Sequence, residues 1–345
     1  GTVSESTRFS QSARSIRTNI ERKSWSTNGV YGVELQFDDA EYQSPDGVAS
    51  FSIMESNGQQ LVSSLYGKQE VLLNETTVLT LGGRYTLLTA DVFKRSYQTG
   101  SVTDTDVGTE QEATAIEVAI VRQFDQGPKV SFAASRNVRF ATIDEQQSSA
   151  VLPSALKPQI GTGLNLGIAH RLKAMEFQAE FYRLNLSNEI GYVDTPGFNN
   201  DGNFNIDTSQ RSGVNLTTNF DLSPSADIGL SASYIDAKAT SGAQAGKRIP
   251  LISKQSVVAT FTKQFAQDWR AQFLWHYDSD KVLGSDWNNE GATISSQSKT
   301  DFALEKEFGN TGIKLGIGNL FDQTFYSYGV RGFSTIDGTP GYYDF

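Results

Sequence analysis

Only two histidines occur in this chain, His170 and His276, and serines and aspartates are plentiful around them, so a Ser-His-Asp relay is the first chemistry to weigh. No local motif marks a nucleophile, and the plainer reading is two histidines without a reaction. Carboxylates offer a second chemistry. Glu176 and Glu180 fall on one face of an alternating stretch, as do Asp301, Glu305 and Glu307, and such oxygens ligate hard cations. The acidic stretch SVTDTDVGTE (101–110) is a further calcium candidate, but it lacks EF-hand spacing and reads more simply as a solvated acidic loop. There is no cysteine, hence no disulfide, thiolate metal site or cysteine nucleophile. These residues predict no catalytic group, no bound metal and no cofactor.

What must position any of these groups is β structure. About 38% of residues are hydrophobic, yet 21 Phe, 13 Tyr and 4 Trp recur among Gly, Ser and Thr, a mixture that favours strands and turns. In DWRAQFLWHYD, Trp269, Ala271, Phe273, Trp275 and Tyr277 share one face, while Arg270, Gln272, His276 and Asp278 share the other. Val214, Leu216, Thr218, Phe220 and Leu222 alternate in the same way with Asn215, Thr217, Asn219 and Asp221. Segments 76–94, 110–124, 207–222 and 253–265 reach or exceed the roughly 9–11 residues that a tilted strand needs to cross a bilayer. No run of about 18 apolar residues exists, so no transmembrane helix is expected. The net charge of −10, without a basic cluster, argues against a nucleic-acid partner.

Connections come in two kinds. Short turns fall at 73–76, 124–128, 171–175, 222–227, 265–268 and 308–312. Long ones fall at 96–109, 140–160, 194–206, 240–253, 279–295 and after 321, in strict alternation with the short ones. Outer-membrane barrels have this asymmetry, with tight periplasmic turns and long extracellular loops. The reading is therefore an all-β, antiparallel, up-and-down transmembrane β-barrel with about 14 strands in the chain, the last over 311–321. Polar strand faces then meet a lumen, where Arg84, Arg139, Arg171, Glu176, Glu180 and Arg270 would pair with opposite charges, touch a plug or draw anions.

Several stretches resemble the TonB-dependent outer-membrane receptors. GNLFDQTFYSY (318–328) is similar to that family's Asn-Leu-Phe-Asp-x-x-Tyr, matched by Asn319, Leu320, Phe321 and Asp322. GKRIPLISKQ (246–255) resembles its Gly-x-Arg-x-Pro, matched by Gly246, Arg248 and Pro250, with Ser253 and Gln255 in place of the usual later Pro and His. SRNVRFATIDEQ resembles the strand leading into the family's largest mid-barrel loop. ALKPQ follows it, with Gln159 where Glu is common, and RSGVNL (211–216) resembles a strand start with Asn215 in place of Glu.

The resemblance implies a 22-stranded barrel around an N-terminal plug, of which residues 1–345 would form strands 8 to 21. The plug, its energy-coupling box and the closing strand would lie outside the chain. It implies a Gram-negative outer membrane, surrounding lipids as partners, and import of a ferric siderophore, a similar chelate or cobalamin, energised by TonB through the plug. Ligand contact is expected in the loop after 321. There Tyr326, Tyr328, Arg331, Phe333, Tyr342 and Tyr343 form an aromatic and cationic set suited to a flat iron chelate. A complete 14-stranded diffusion channel and an outer-membrane lipase or protease are the rival readings.

Overall fold

The computed structural model describes residues 8–43, 53–98, 101–148, 154–193, 202–265, 268–333 and 340–344. Alternation yields strands almost throughout. They run β1 (Arg8–Lys23), β2 (Thr27–Gln43), β3 (Ile53–Asn74), β4 (Thr77–Gln98), β5 (Ser101–Gln123) and β6 (Lys129–Arg139). A short helix, α1 (Ile143–Gln147), precedes β7 (Gln159–Leu172), β8 (Met175–Val193), β9 (Gly202–Ser223), β10 (Ala226–Ala239), β11 (Gln255–Phe265) and β12 (Trp269–Asp278). Then come β13 (Lys281–Val282), β14 (Thr293–Ile294), β15 (Gln297–Phe308), β16 (Thr311–Ile317), β17 (Gly329–Phe333) and β18 (Pro340–Asp344). Fourteen of these, β1 to β12 with β15 and β16, form one antiparallel sheet in chain order, while β13–β14 and β17–β18 are separate two-stranded pairs.

Because successive side chains point to opposite faces, the inner strands carry two environments, whereas β1 and β16 at the sheet edges are exposed on both faces. On β2, Tyr31, Val33, Leu35 and Phe37 are exposed, whereas Glu34, Asp38 and Ala40 are buried. Leu65 of β3 and Leu81, Tyr85 and Leu87 of β4 continue the exposed apolar side, and Ser56, Gln60, Ser64, Thr86 and Leu88 are buried opposite. Ile313, Leu315 and Ile317 of β16 are more than half exposed, and the residues between them are exposed too. Contiguous apolar surface on this scale marks contact with a partner or a membrane rather than with water.

Contacts divide the chain into two compact units. The first comprises 1–119, 134–163 and 185–209; the second comprises 120–133, 164–184 and 210–345. The first has a small core of Ala40, Leu88, Ala90, Val92 and Ile143, with Val62 and Phe140 packed against it. Helix α1 brings Ile143 there, held at its start by the Glu145 carboxylate, which accepts the Thr142 N–H at 3.0 Å. Gly58 makes the approach feasible, since a Cβ at that position would lie 2.6 Å from Ile143 Cγ1. Burying one isoleucine in this way stabilises the docked helix by about 1.5–3 kcal/mol.

Three expectations need correction. The connection expected over 96–109 is largely strand: β5 starts at Ser101, so the supposed acidic loop 101–110 continues the sheet. Thr103 and Thr105 alternate there with Asp104 and Asp106, and Arg95 grips Asp104 by two hydrogen bonds of 2.8 and 2.9 Å. A β-branched alternation with cross-strand charge pairs is a better ladder than loop. The long connection 194–206 is likewise shorter, because β9 begins at Gly202. Strand β16 ends at Ile317 rather than 321, because the next residues turn away from the ladder.

Candidate functional site

Several charges on the polar strand faces are paired. Glu34 is clamped from both sides: Arg17 donates to one oxygen through Nε at 3.1 Å and also through Nη2, and Arg84 Nη2 donates to the other at 2.7 Å. Arg84 also reaches Ser64 Oγ at 2.7 Å, and its guanidinium lies 5.8 Å from the Tyr66 ring centre. The cross-strand register places Glu34 opposite both Arg17 and Ser64, which is why these side chains meet. Arg139 donates to both oxygens of Glu145 at 3.0 and 2.8 Å. Arg171 lies 3.9 Å from Glu176, and Glu180 accepts from Asn215 Nδ2 at 3.3 Å. Arg270 lies 3.6 Å from Glu305, which Lys314 approaches to 2.6 Å.

Farther along β4 and β5, past the exposed apolar stretch, the Arg95 guanidinium holds the Asp104 carboxyl below the usual carboxylate range, chiefly by hydrogen bonding. Of the carboxylates that might have gathered a cation, Glu176 and Glu305 face arginine or lysine and Glu180 an amide. Asp301 serves the backbone, accepting the Asn319 N–H at 2.7 Å. Among the described residues no group of three or more His, Cys, Asp or Glu is placed to hold a metal ion. His276 lies 3.4 Å from Asp278 and 5.6 Å from the Phe325 ring centre, and His170 meets Phe177 edge-on.

After β16 the chain makes a hook, and the Asn-Leu-Phe-Asp stretch is its hardware. Asn319 and Asp322 adopt φ of 50° and 52°, the left-handed region that these two residue types tolerate best. The Asn319 side chain donates to Gln323 O at 2.8 Å and accepts the Gln323 N–H at 3.0 Å, closing the turn on itself. Leu320 N–H donates to Thr300 O at 2.6 Å, tying the hook to β15. Phe325 settles beside His276 and under Lys299, whose ammonium is 5.3 Å from its ring centre. Gln297 then secures Tyr326 by a reciprocal pair: its Nε2 donates to Tyr326 O at 2.6 Å, and its Oε1 accepts the Tyr326 N–H at 2.7 Å.

Beside this hook stands the β13–β14 hairpin. Lys281 donates to Ser327 O at 3.1 Å, and Gly284 N–H donates to Gly329 O at 2.8 Å. Gly329 is required by proximity, since a Cβ there would lie 2.9 Å from Leu283 Cδ2 and 3.1 Å from Ile294 Cδ1. Asp286 is buried and caps its own loop, accepting the Glu290 and Gly291 N–H groups at 3.0 and 2.8 Å. Arg248 pins a neighbouring segment, donating to the Asp280 carboxylate at 2.6 Å and to its carbonyl at 2.8 Å. Between hairpin and hook lies an open recess of about 350 Å³, with Leu283 and Ile294 at its lining and Tyr326 on the hook side.

Of the six loop residues expected to contact ligand, Tyr326 lines this recess and Tyr328 is exposed nearby in sequence. Arg331 and Phe333 lie on β17 and Tyr342 and Tyr343 on β18, with Arg331 paired in register with Tyr342 and Val330 with Tyr343. The side chains of these four lie outside the described residues. Sequence reasoning missed Leu283, Ile294 and Gln297, which carry no motif; a short apolar residue flanked by Ser and Thr was the only trace.

Residues 2–332 match the family described as TonB dependent receptor-like, beta-barrel. The chain belongs to this family. Its place is the outer membrane of a Gram-negative bacterium. Among solved structures, the copper transporter OprC is similar with a TM-score of 0.79 at 14% identity, over 92% of this chain and 52% of that one. The ferric yersiniabactin uptake receptor FyuA from Yersinia pestis gives 0.76 at 14% identity, over 95% and 51%. The siderophore receptor PiuA from Acinetobacter baumannii gives 0.74 at 12% identity, over 98% and 54%. This receptor-family chain therefore spans about half the length of those structures, with which it shares a fold. No curated protein matches the sequence.

Proposed function

We propose that the chain forms strands 8 to 21 of a 22-stranded receptor barrel that takes up a scarce nutrient across the outer membrane. The preferred cargo is a ferric siderophore or a comparable metal chelate, with cobalamin as the alternative. The observation that carries this reading is the division of faces on long strands. One side is exposed Leu, Ile, Val, Phe and Tyr; the other is a ladder of paired charges suited to a wet lumen that holds a plug. The three structures cited above, a copper transporter and two receptors whose names refer to siderophore or ferric-chelate uptake, support the cargo class. On this reading the chain does no catalysis, and TonB supplies energy through the plug.

Ligand contact is assigned to the segment after Phe321, through Tyr326, Tyr328, Arg331, Phe333, Tyr342 and Tyr343. Arg331 would provide the counter-charge for an anionic chelate and the tyrosines its aromatic walls. The test is accumulation of radiolabelled ferric chelates by cells expressing the full-length protein, with and without active TonB. Uptake that requires TonB and falls in Tyr328→Ala with Arg331→Ala is the expected result. Equal uptake without TonB would establish a diffusion channel instead.

A further inference from the structure

We propose that the recess between the β13–β14 hairpin and residues 324–329 binds a neutral, hydroxyl-rich ring of the pyranose type. Its volume of about 350 Å³ is at the lower end of the roughly 300–1,000 Å³ of small-molecule sites, room for one or two sugar rings. None of the residues lining it is charged. Thr293, Ser296, Thr324 and Tyr326 bring hydroxyls, while Leu283 and Ile294, almost wholly buried, form its apolar floor. That combination matches a sugar, which presents hydroxyls at its rim and C–H groups on its faces. An aromatic ring is the usual partner for such a C–H face.

Two charges close in sequence are directed elsewhere: the Lys281 ammonium donates to Ser327 O and the Asp286 carboxylate accepts from its own loop N–H groups. The lining itself offers no counter-cation to an anionic ligand, so recognition there falls to hydroxyls and apolar contact. The site is also preorganised. Gln297 fixes the Tyr326 backbone from both sides, and the Gly284 to Gly329 hydrogen bond holds the hairpin against the hook. Little ordering is left for a ligand to bring about. The inference rests on the receptor reading only in that this rim faces the medium.

The test uses purified full-length receptor in detergent and saturation-transfer NMR, with methyl glucopyranoside and maltose as neutral probes and glucuronate as the charged control of the same ring. Neutral probes should bind and glucuronate should bind more weakly. Thr293→Val with Ser296→Ala, which keeps shape but removes two hydroxyls, should weaken binding about tenfold. Tyr326→Ala should abolish the signal, whereas Tyr326→Phe retains most of it; unchanged heat-modifiable mobility on gels reports that each variant is folded. Competition by free methyl glucoside identifies a free sugar as ligand, and competition by a glucosylated ferric catecholate but not by the free glucoside identifies a sugar carried on a chelate. Either result sustains the site. Failure of every neutral pyranoside and of the glucosylated chelate to bind, or binding unchanged in both the hydroxyl and Tyr326→Ala variants, overturns it. Energised transport is no part of this readout, so TonB-independent uptake would sink the receptor reading while leaving the sugar site standing.

Discussion

The two compact units extend past the apolar band by different means. In the first, the strands themselves lengthen: β3 and β4 have 22 residues, about twice what a bilayer requires, and most of the 23-residue β5 belongs to it as well. In the second, β11, β12 and β15 have 11, 10 and 12 residues, close to one crossing, and additional chain folds into the β13–β14 hairpin and the hook after β16. A lengthened strand satisfies every backbone group through its neighbour and needs only side-chain pairs to fix its faces. A folded connection has only short ladders and must be held largely residue by residue, by Asn319, Gln297, Asp286 and Arg248. The recess lies in the second kind of construction, as loops on a rigid scaffold usually carry recognition.

The sharpest way to break this contrast is inside the first unit, where one connection does fold. Ile143→Ala should weaken docking of α1 by about 2–4 kcal/mol and open a new protease cleavage site in it, detected by limited proteolysis. An unchanged digestion pattern would mean that the core holding α1 matters little. Next, Glu34→Ala should cost about 2 kcal/mol, because it leaves Arg17 and Arg84 facing one another without the carboxylate between them. Thermal unfolding in detergent measures it, and Arg84→Ala in the Glu34→Ala background should recover part of the loss.

In the second unit, Asn319→Ala removes two side-chain hydrogen bonds and puts a residue with a Cβ at φ 50° that lacks the amide, for an expected loss of about 1–2 kcal/mol in the hook. Amide exchange over 319–326 should rise while β3 and β4 stay protected. The smallest effect is expected in the exposed pair Arg95 and Asp104. Its carboxyl titrates lower in the folded protein than the about 3.9 of an unfolded aspartate. The pair therefore contributes fully above that value and loses its contribution as pH falls through the folded one. Acid titration followed by NMR should show the Asp104 midpoint moving up in Arg95→Ala.

Much of this was legible in the residues because a period of two survives any context. Turn residues placed the short connections 222–227 and 308–312 where β9 passes into β10 and β15 into β16, since Ser-Pro-Ser and Gly-Asn punctuate them. Asn319 and Asp322 were visible as a motif, and their tolerance of positive φ explains it. The stretch 101–110 misled because its acids suggest a solvated loop, and nothing local announces Arg95 on the adjacent strand. The recess was invisible for the same reason. Leu283, Ile294, Gln297 and Tyr326 are separated by up to 43 residues in numbering and carry no shared pattern. Side-chain direction along a strand is a local consequence of backbone geometry, so strands and their faces could be read from the chain. Which face meets which neighbour depends on register and on loops folding back, and those are set by contacts between residues far apart in sequence.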